Sequence, residues 1–125
     1  MKVFIADDSE IIRERLVDLI SRLKGVEIIG EAKDVSGAIK SITEKMPGIV
    51  ILDIKMPGGS GIDVLKKLKE KKLNPVVIIL TNYPYPELRK ACFEAGADFF
   101  FDKSLEFGAL LRALKVLGHE DELMI

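Results

Sequence analysis

The sequence has little of what extracellular and membrane proteins contain. Its 125 residues include one cysteine, Cys92, so an internal disulfide framework is excluded. The longest apolar runs, residues 76–80 and 99–101, are far shorter than the roughly 20 residues that cross a bilayer. The opening residues MKVFIADD begin with a strand pattern and lack the long apolar stretch of a signal peptide. We therefore predict a cytoplasmic protein that makes no membrane contact.

The sequence also lacks an excess of charge of either sign. Its 19 lysine and arginine residues are balanced by 20 aspartate and glutamate residues, which gives a formal net charge of -1. This balance does not favour nucleic acid or an anionic membrane as a partner. The lysine-rich segment at residues 66–72 contains Glu70 and no aromatic residue, and a solvated helix face explains it best. We predict no direct binding to nucleic acid.

Length and pattern indicate one α/β domain, comprising residues 1–125. Strand-like and helix-like segments alternate five times and are separated by glycine and proline, which is typical of a parallel sheet covered by helices. The predicted strands contain the run VFIADD and residues 26–32, 49–53, 76–81 and 97–101. The first predicted helix begins after Ser9 and ends before Gly25, and the others cover residues 36–45, 61–71, 86–95 and 104–117.

Four of the apolar runs end in polar groups suited to phosphoryl chemistry. These groups are Asp7 and Asp8, then Asp53, Thr81 and Lys103. Open α/β sheets bind their ligands at the carboxyl ends of the strands, and each of these residues falls at such an end. We therefore expect three carboxylates, a hydroxyl and an amine to converge on one site.

The chemistry of such a site calls for a divalent cation. Carboxylates within a few ångströms raise one another's pKa unless a cation neutralises them, and oxygen-only ligands beside a phosphoryl group favour Mg²⁺. An aspartate can itself be the nucleophile and form an acyl phosphate, while an ammonium balances charge on the transferred group. Asp53, at the centre of the predicted sheet, is suited to that role.

Taken together, these residues resemble the response-regulator receiver domains of two-component signalling over essentially the whole chain. The resemblance is carried by the pair Asp7-Asp8, the D-x-x-M-P run at residues 53–57 followed by Gly61, and Thr81 and Lys103 at their strand ends. It implies a flavodoxin-like (βα)5 fold of three layers, α/β/α, with a doubly wound five-stranded parallel sheet of strand order 2-1-3-4-5. Helices one and five would cover one face of this sheet.

The resemblance also implies the roles of the site residues. Asp53 would accept a phosphoryl group from a sensor histidine kinase or a histidine phosphotransfer protein. Asp8, Asp53 and the backbone carbonyl of Lys55 would bind Mg²⁺ directly, and Asp7 would act mainly through water. Thr81 and Lys103 would hold phosphoryl oxygens, so the protein is predicted to be a signalling switch and not a metabolic enzyme.

Phosphorylation is expected to change one face of the molecule. A phosphoryl group adds charge and acceptor oxygens at Asp53, so the Thr81 hydroxyl gains by moving toward it. Phe100 lies where receivers carry a mobile aromatic residue, and we expect its ring to rotate inward. The face formed by helix four, strand five and helix five would then bind a downstream protein or a second copy of the chain.

Several positions depart from the commonest receiver pattern. Phe100 lies where tyrosine is frequent, so ring packing alone must report the switch. Ser104 and not proline follows Lys103, and we predict a trans peptide bond between them, because a cis bond costs about 2.5 to 4 kcal/mol at a non-proline residue.

Three more departures lie around the predicted phosphorylation site. Asn82 follows Thr81 where a small residue is usual, so access to the phosphate is predicted to be narrower. Lys55 and Tyr83 could flank the path of a hydrolytic water, which predicts slow self-dephosphorylation.

Other functions remain open on the sequence. A phosphatase of the haloacid dehalogenase type also uses aspartate, Mg²⁺, threonine and lysine. Its nucleophile lies in a D-x-D motif after strand one, whereas here the adjacent pair Asp7-Asp8 follows strand one and the expected nucleophile, Asp53, follows strand three. A receiver-like interaction module that never carries phosphate and a flavodoxin-like FMN carrier are further alternatives. We expect helix five to end near residue 117 and residues 118–125 to form a short tail without an output domain. A stand-alone protein and a domain cut from a longer regulator both fit.

Overall fold

The computed structural model describes the main chain of residues 1–123 and the side chains of residues 1–119. Its strands are β1 (Lys2–Ala6), β2 (Glu27–Ala32), β3 (Ile49–Leu52), β4 (Lys55–Met56), β5 (Gly59–Ser60), β6 (Val76–Thr81) and β7 (Phe99–Asp102). Its helices are α1 (Glu10–Ile20), α2 (Val35–Lys45), α3 (Gly61–Glu70), α4 (Pro86–Glu94) and α5 (Phe107–Leu123). Within the described residues, no helix has both the length and the apolar character needed to cross a membrane.

One parallel sheet of five strands organises the chain. Its order is β2-β1-β3-β6-β7, and since β6 and β7 are the fourth and fifth predicted strands, the predicted order 2-1-3-4-5 is confirmed. Ala6 pairs with Leu52, so the carboxyl ends of β1 and β3 are level, and Leu52 pairs with Ile79, so β6 continues beyond them to Thr81. Thr81 pairs with Asp102 at the β6–β7 end. Residues that follow these strands therefore come together at one edge of the sheet.

Helices cover the sheet on both faces. Successive residues of each strand point to opposite faces, so the apolar runs contribute to two cores. One core joins alternate strand residues such as Phe4 and Leu52 to α2, α3 and α4. The other joins residues such as Ile5 and Leu80 to α1 and α5. This confirms the predicted three-layer α/β/α architecture.

The structure corrects both predicted boundaries of helix five. Helix five begins at Phe107 and not at Ser104, because a turn precedes it in which Asp102 accepts the N–H of Glu106 at 2.8 Å and the N–H of Ser104 at 2.7 Å. It continues to Leu123, so the predicted end near residue 117 is wrong and most of the predicted tail is helical. The end of that tail, residues 124–125, lies outside the described residues.

The segment after β3 contains structure that the sequence did not indicate. Residues 55–60 form a two-stranded antiparallel hairpin, in which Lys55 pairs with Ser60. Ser60 then caps α3, since its side chain accepts the N–H of Asp63 and the Asp63 carboxylate accepts the N–H of Ser60. The hairpin and the capping box fix the direction in which the chain leaves β3.

Candidate functional site

Two buried aspartates lie at the carboxyl edge of the sheet. Asp7 follows β1 and its N–H donates to the Ala32 carbonyl at 3.0 Å, while Asp53 follows β3 and its N–H donates to the Ala6 carbonyl at 2.9 Å. These bonds extend the strand ladders by one residue, so the backbone of both aspartates is fixed. Asp7 is 2% exposed and Asp53 is 5% exposed. Carboxylates so deeply buried need charged or hydrogen-bonding partners.

The ammonium of Lys103 supplies the shared partner. Its Nζ lies 2.6 Å from Asp7 Oδ2 and 2.9 Å from Asp53 Oδ2. Lys103 comes directly after β7, and its main-chain N–H donates to the Thr81 carbonyl at 2.8 Å, so β6 fixes the base of this side chain. The predicted convergence of the amine with the carboxylates is therefore seen in the structure.

The remaining carboxylate oxygens accept backbone N–H groups. Asp7 Oδ1 accepts the N–H of Ser9 at 2.9 Å, and Asp53 Oδ1 accepts that of Ile54 at 2.7 Å. Burial raises the pKa of Asp53 above its ordinary value, although the bonds from Lys103 and Ile54 oppose the rise. Burial lowers the pKa of Lys103, but its bonds to Asp7 and Asp53 more than offset this and raise the pKa overall. The ammonium therefore stays charged at neutral pH.

A third carboxylate completes an acidic cluster. Asp7, Asp8 and Asp53 can each offer an oxygen, and these oxygens lie within 4.8 Å of one another. Asp8 is exposed and makes no hydrogen bond or ion pair with any residue that the structure describes. An oxygen-only set with one unpaired carboxylate facing solvent fits a hard divalent cation such as Mg²⁺. The predicted ligand role of the Lys55 carbonyl stays a prediction.

The two predicted switch residues are buried. Thr81 is fully buried, and its Oγ1 accepts the N–H of Tyr83 at 3.0 Å. The Phe100 ring is 5% exposed and lies 6.5 Å from the Phe93 ring, with the Arg89 guanidinium 5.6 Å from its centroid. The Phe100 ring is therefore buried in this structure, and its rotation on phosphorylation stays a prediction. The Lys103–Ser104 peptide is trans, as predicted.

The residues predicted to control access differ in their contacts. The Lys55 ammonium lies 4.5 Å from the centroid of the Tyr83 ring, which joins β4 to the loop after β6. Tyr83 also lies 6.3 Å from the Tyr85 ring. Asn82 is exposed, and a narrowing effect of its side chain stays a prediction.

Sequence reasoning missed one residue that shapes the site and gave no physical role to a second. Arg13, on α1, donates from Nη1 to the Asp7 carbonyl at 2.6 Å, and no sequence signal distinguishes it from the other arginines nearby. Gly61 was singled out only as part of a motif. A Cβ at this position would lie 2.1 Å from the Asp53 carbonyl oxygen, so α3 begins against the backbone of Asp53.

Known proteins resemble this chain in sequence along most of its length. A family model described as the response regulator receiver domain matches residues 3–115. The DNA-binding transcriptional activator DevR/DosR of Mycobacterium tuberculosis is 32% identical over 118 residues, which cover 94% of this chain and 54% of that protein. The transcriptional regulatory protein PdtaR of the same organism is 33% identical over 92% of this chain and 55% of its own length. The chain thus spans about half the length of these curated relatives.

Solved structures also resemble this chain, both in fold and in sequence. A DNA-binding response regulator of the LuxR family from Staphylococcus aureus has a TM-score of 0.86 and 31% identity, covering 94% of this chain and 98% of that one. A CheX-CheY-BeF3-Mg complex from Borrelia burgdorferi contains a chain with a TM-score of 0.85 and 29% identity, covering 94% of this chain and 88% of that one.

Proposed function

This chain belongs to the response regulator receiver domain family, and from that premise we propose that Asp53 accepts a phosphoryl group from a protein phosphohistidine. The observation that carries the proposal is the buried Lys103 ammonium bonded to both Asp53 and Asp7. A carboxylate oxygen of Asp53 would form the new P–O bond as the donor's P–N bond breaks. The electron pair of the broken bond stays on the donor imidazole.

The neighbours of Asp53 would balance the charge of the transferred group. Lys103 already lies within hydrogen-bonding distance of the acceptor carboxylate, so its ammonium can pair with a phosphoryl oxygen there. Asp7, Asp8 and Asp53 would hold Mg²⁺, which when bound supplies positive charge to the phosphoryl oxygens.

Phosphorylation would be reported through Thr81 and the elements beside it. The Thr81 hydroxyl accepts the N–H of Tyr83, so movement of this hydroxyl toward a phosphoryl group pulls on the loop before α4. The face formed by α4, β7 and α5 would then bind a downstream protein or a second copy of the chain. Because several relatives are named as transcriptional regulators, such a target could lie in a longer regulator that contains this domain.

Hydrolysis of the phosphoryl group would be slowed by the contact between Lys55 and Tyr83. The two side chains belong to the segments that follow β3 and β6, and each lies two residues beyond a site residue. A cation held over an aromatic ring keeps these two side chains together, and we infer that together they cover the approach to Asp53. Water would therefore reach the phosphorus along a restricted path.

Intact mass spectrometry tests the proposal directly. Incubation with Mg²⁺ and acetyl phosphate should add one phosphoryl group to the protein, and Asp53→Asn should abolish the addition. Asp34→Asn is the matched control, because asparagine also caps helices and Asp34 caps α2. Addition of phosphate to Asp53→Asn, or none to the parent with any donor, would refute the assignment. Turnover of a phosphate ester would favour the phosphatase alternative.

A further inference from the structure

Arg13 connects three elements around the acidic cluster. Its Nη1 donates to the main-chain oxygen of Asp7 at 2.6 Å, and its Nε lies 3.4 Å from the Glu31 carboxylate in β2. The Arg13 side chain is 16% exposed and that of Glu31 is 42% exposed, so the guanidinium is mostly protected from water although its carboxylate partner is not. Its own N–H donates to the Ser9 carbonyl at 3.0 Å, which anchors it in the first turn of α1. The guanidinium therefore ties the β1–α1 connection to β2.

The oxygen that Arg13 contacts belongs to the peptide between Asp7 and Asp8. Asp7 is bonded at all four of its polar atoms: its N–H to Ala32, its carbonyl to Arg13, and its two carboxylate oxygens to Ser9 and Lys103. Among the residues that the structure describes, Asp8 has no such bond. The direction of the Asp8 side chain depends on the orientation of the peptide between Asp7 and Asp8. Arg13 holds this peptide in place through the hydrogen bond to its carbonyl oxygen.

We propose that Arg13 is a positioning residue for the cation site, and that it acts through the Asp7–Asp8 peptide without touching the cation. This inference rests on the proposed function only in requiring that the acidic cluster binds Mg²⁺. Hydrogen-bonding partners behind metal ligands typically contribute about 10- to 100-fold to metal affinity. We expect loss of Arg13 to raise the Kd for Mg²⁺ by about tenfold.

Electrostatics alone predicts the opposite sign. A positive charge near three carboxylates repels an arriving cation, so deleting it without any loss of geometry would tighten Mg²⁺ binding. Weaker binding after removal of this charge therefore identifies positioning. Arg13→Met removes both charge and hydrogen bonds, whereas Arg13→Lys keeps the charge but loses the planar fork that reaches two acceptors.

The experiment measures Mg²⁺ affinity by isothermal titration calorimetry of the unphosphorylated protein. The Kd for Mg²⁺ should be lowest in the parent, higher in Arg13→Lys and highest in Arg13→Met. Arg22→Met is the matched control, because Arg22 lies beyond the other end of α1 in an exposed pair with Asp18 at 3.0 Å. Its Kd should equal that of the parent within about twofold, since an exposed charge at that range is largely screened.

A second readout separates positioning from a loss of stability. The Arg13 variants should need a higher Mg²⁺ concentration than the parent to reach half of their maximal rate of phosphorylation by acetyl phosphate. At saturating Mg²⁺ their rate should equal the parent's. Arg13→Lys provides the test if Arg13→Met does not fold. Equal or tighter Mg²⁺ binding by the folded variants overturns the inference while leaving the proposed function intact. Absence of Mg²⁺ binding by the parent overturns both.

Discussion

Replacing Lys103 by methionine should destabilise the protein strongly, because it removes the ammonium from between two buried carboxylates. Lys103 is 8% exposed, and its Nζ lies within 3 Å of an oxygen of Asp7 and an oxygen of Asp53. Removing one partner of a buried ion pair costs about 3 to 5 kcal/mol. Because the free energy of unfolding of a native protein is only about 5 to 15 kcal/mol, this variant should lose a large share of its stability at neutral pH.

The deficit should depend on pH in a defined direction. Burial already raises the pKa of Asp53 above its ordinary 3.8, and loss of Lys103 removes the largest opposing influence. A carboxyl with a higher pKa in the folded state binds more protons when folded, so stability is retained below pH 3.8 and falls as the pH rises through the folded pKa. The difference between Lys103→Met and the parent should therefore grow from acidic to neutral pH.

Mg²⁺ should partly replace the missing ammonium. A ligand that binds only the folded state adds about 2.7 kcal/mol at a concentration one hundred times its Kd. The gain should be larger in Lys103→Met than in the parent, because no ammonium competes for the carboxylates in the variant. Urea unfolding followed by circular dichroism, with and without Mg²⁺ across a pH series, measures each of these quantities.

The control for this prediction is Lys67→Met. Lys67 pairs with Glu70 at 3.3 Å on the exposed side of α3, and such a pair contributes about 0.5 kcal/mol or less. If the free energy of unfolding of Lys103→Met at neutral pH were within about 1 kcal/mol of the parent's, the cost assigned to a broken buried pair would be wrong. An equal gain from Mg²⁺ in both proteins would contradict the competition between ammonium and cation.

Two further predictions concern the segments that surround Asp53. Gly61→Ala should lower the free energy of unfolding by about 3 kcal/mol and slow phosphorylation, because its Cβ would meet the Asp53 carbonyl oxygen at 2.1 Å. Gly108→Ala should stay within about 1 kcal/mol of the parent in the same urea assay, since only the end of a flexible arginine lies near it. A double variant with Lys55→Ala and Tyr83→Ala should lose its phosphoryl group faster after donor removal, as followed by intact mass. An unchanged lifetime would exclude shielding by these side chains.

The sequence was sufficient to predict the sheet because its central strands, β1, β3 and β6, are apolar on both faces. The segment VVIILT of β6, for example, is buried almost throughout, and only a parallel sheet covered on both sides requires such a run. Helix ends were less predictable. The start of α5 depends on Asp102, which accepts N–H groups from two later residues, and this local competition is not visible in the apolar pattern.

The candidate site was predictable to the extent that backbone register determines it. Asp7, Asp53 and Lys103 all follow parallel strands at the same edge of the sheet, so their convergence follows from topology. Contacts that cross from helix to loop were not predictable. Arg13 reaches the Asp7 carbonyl only because α1 packs with a particular rotation on the sheet, and that rotation is decided by side chains from both elements.

Charge accounting explains why the site and the binding face should respond together. Three carboxylates and one ammonium leave the pocket with a formal charge near -2, so a dianionic phosphoryl group would need a divalent cation beside it. Lys103 is bonded through its main chain to Thr81, and Thr81 through its hydroxyl to the loop before α4. We therefore expect a change of charge at Asp53 to act on the ends of β6 and β7 together. These strand ends lead into α4 and α5, which is why we expect this face, and not the face formed by α2 and α3, to carry the signal.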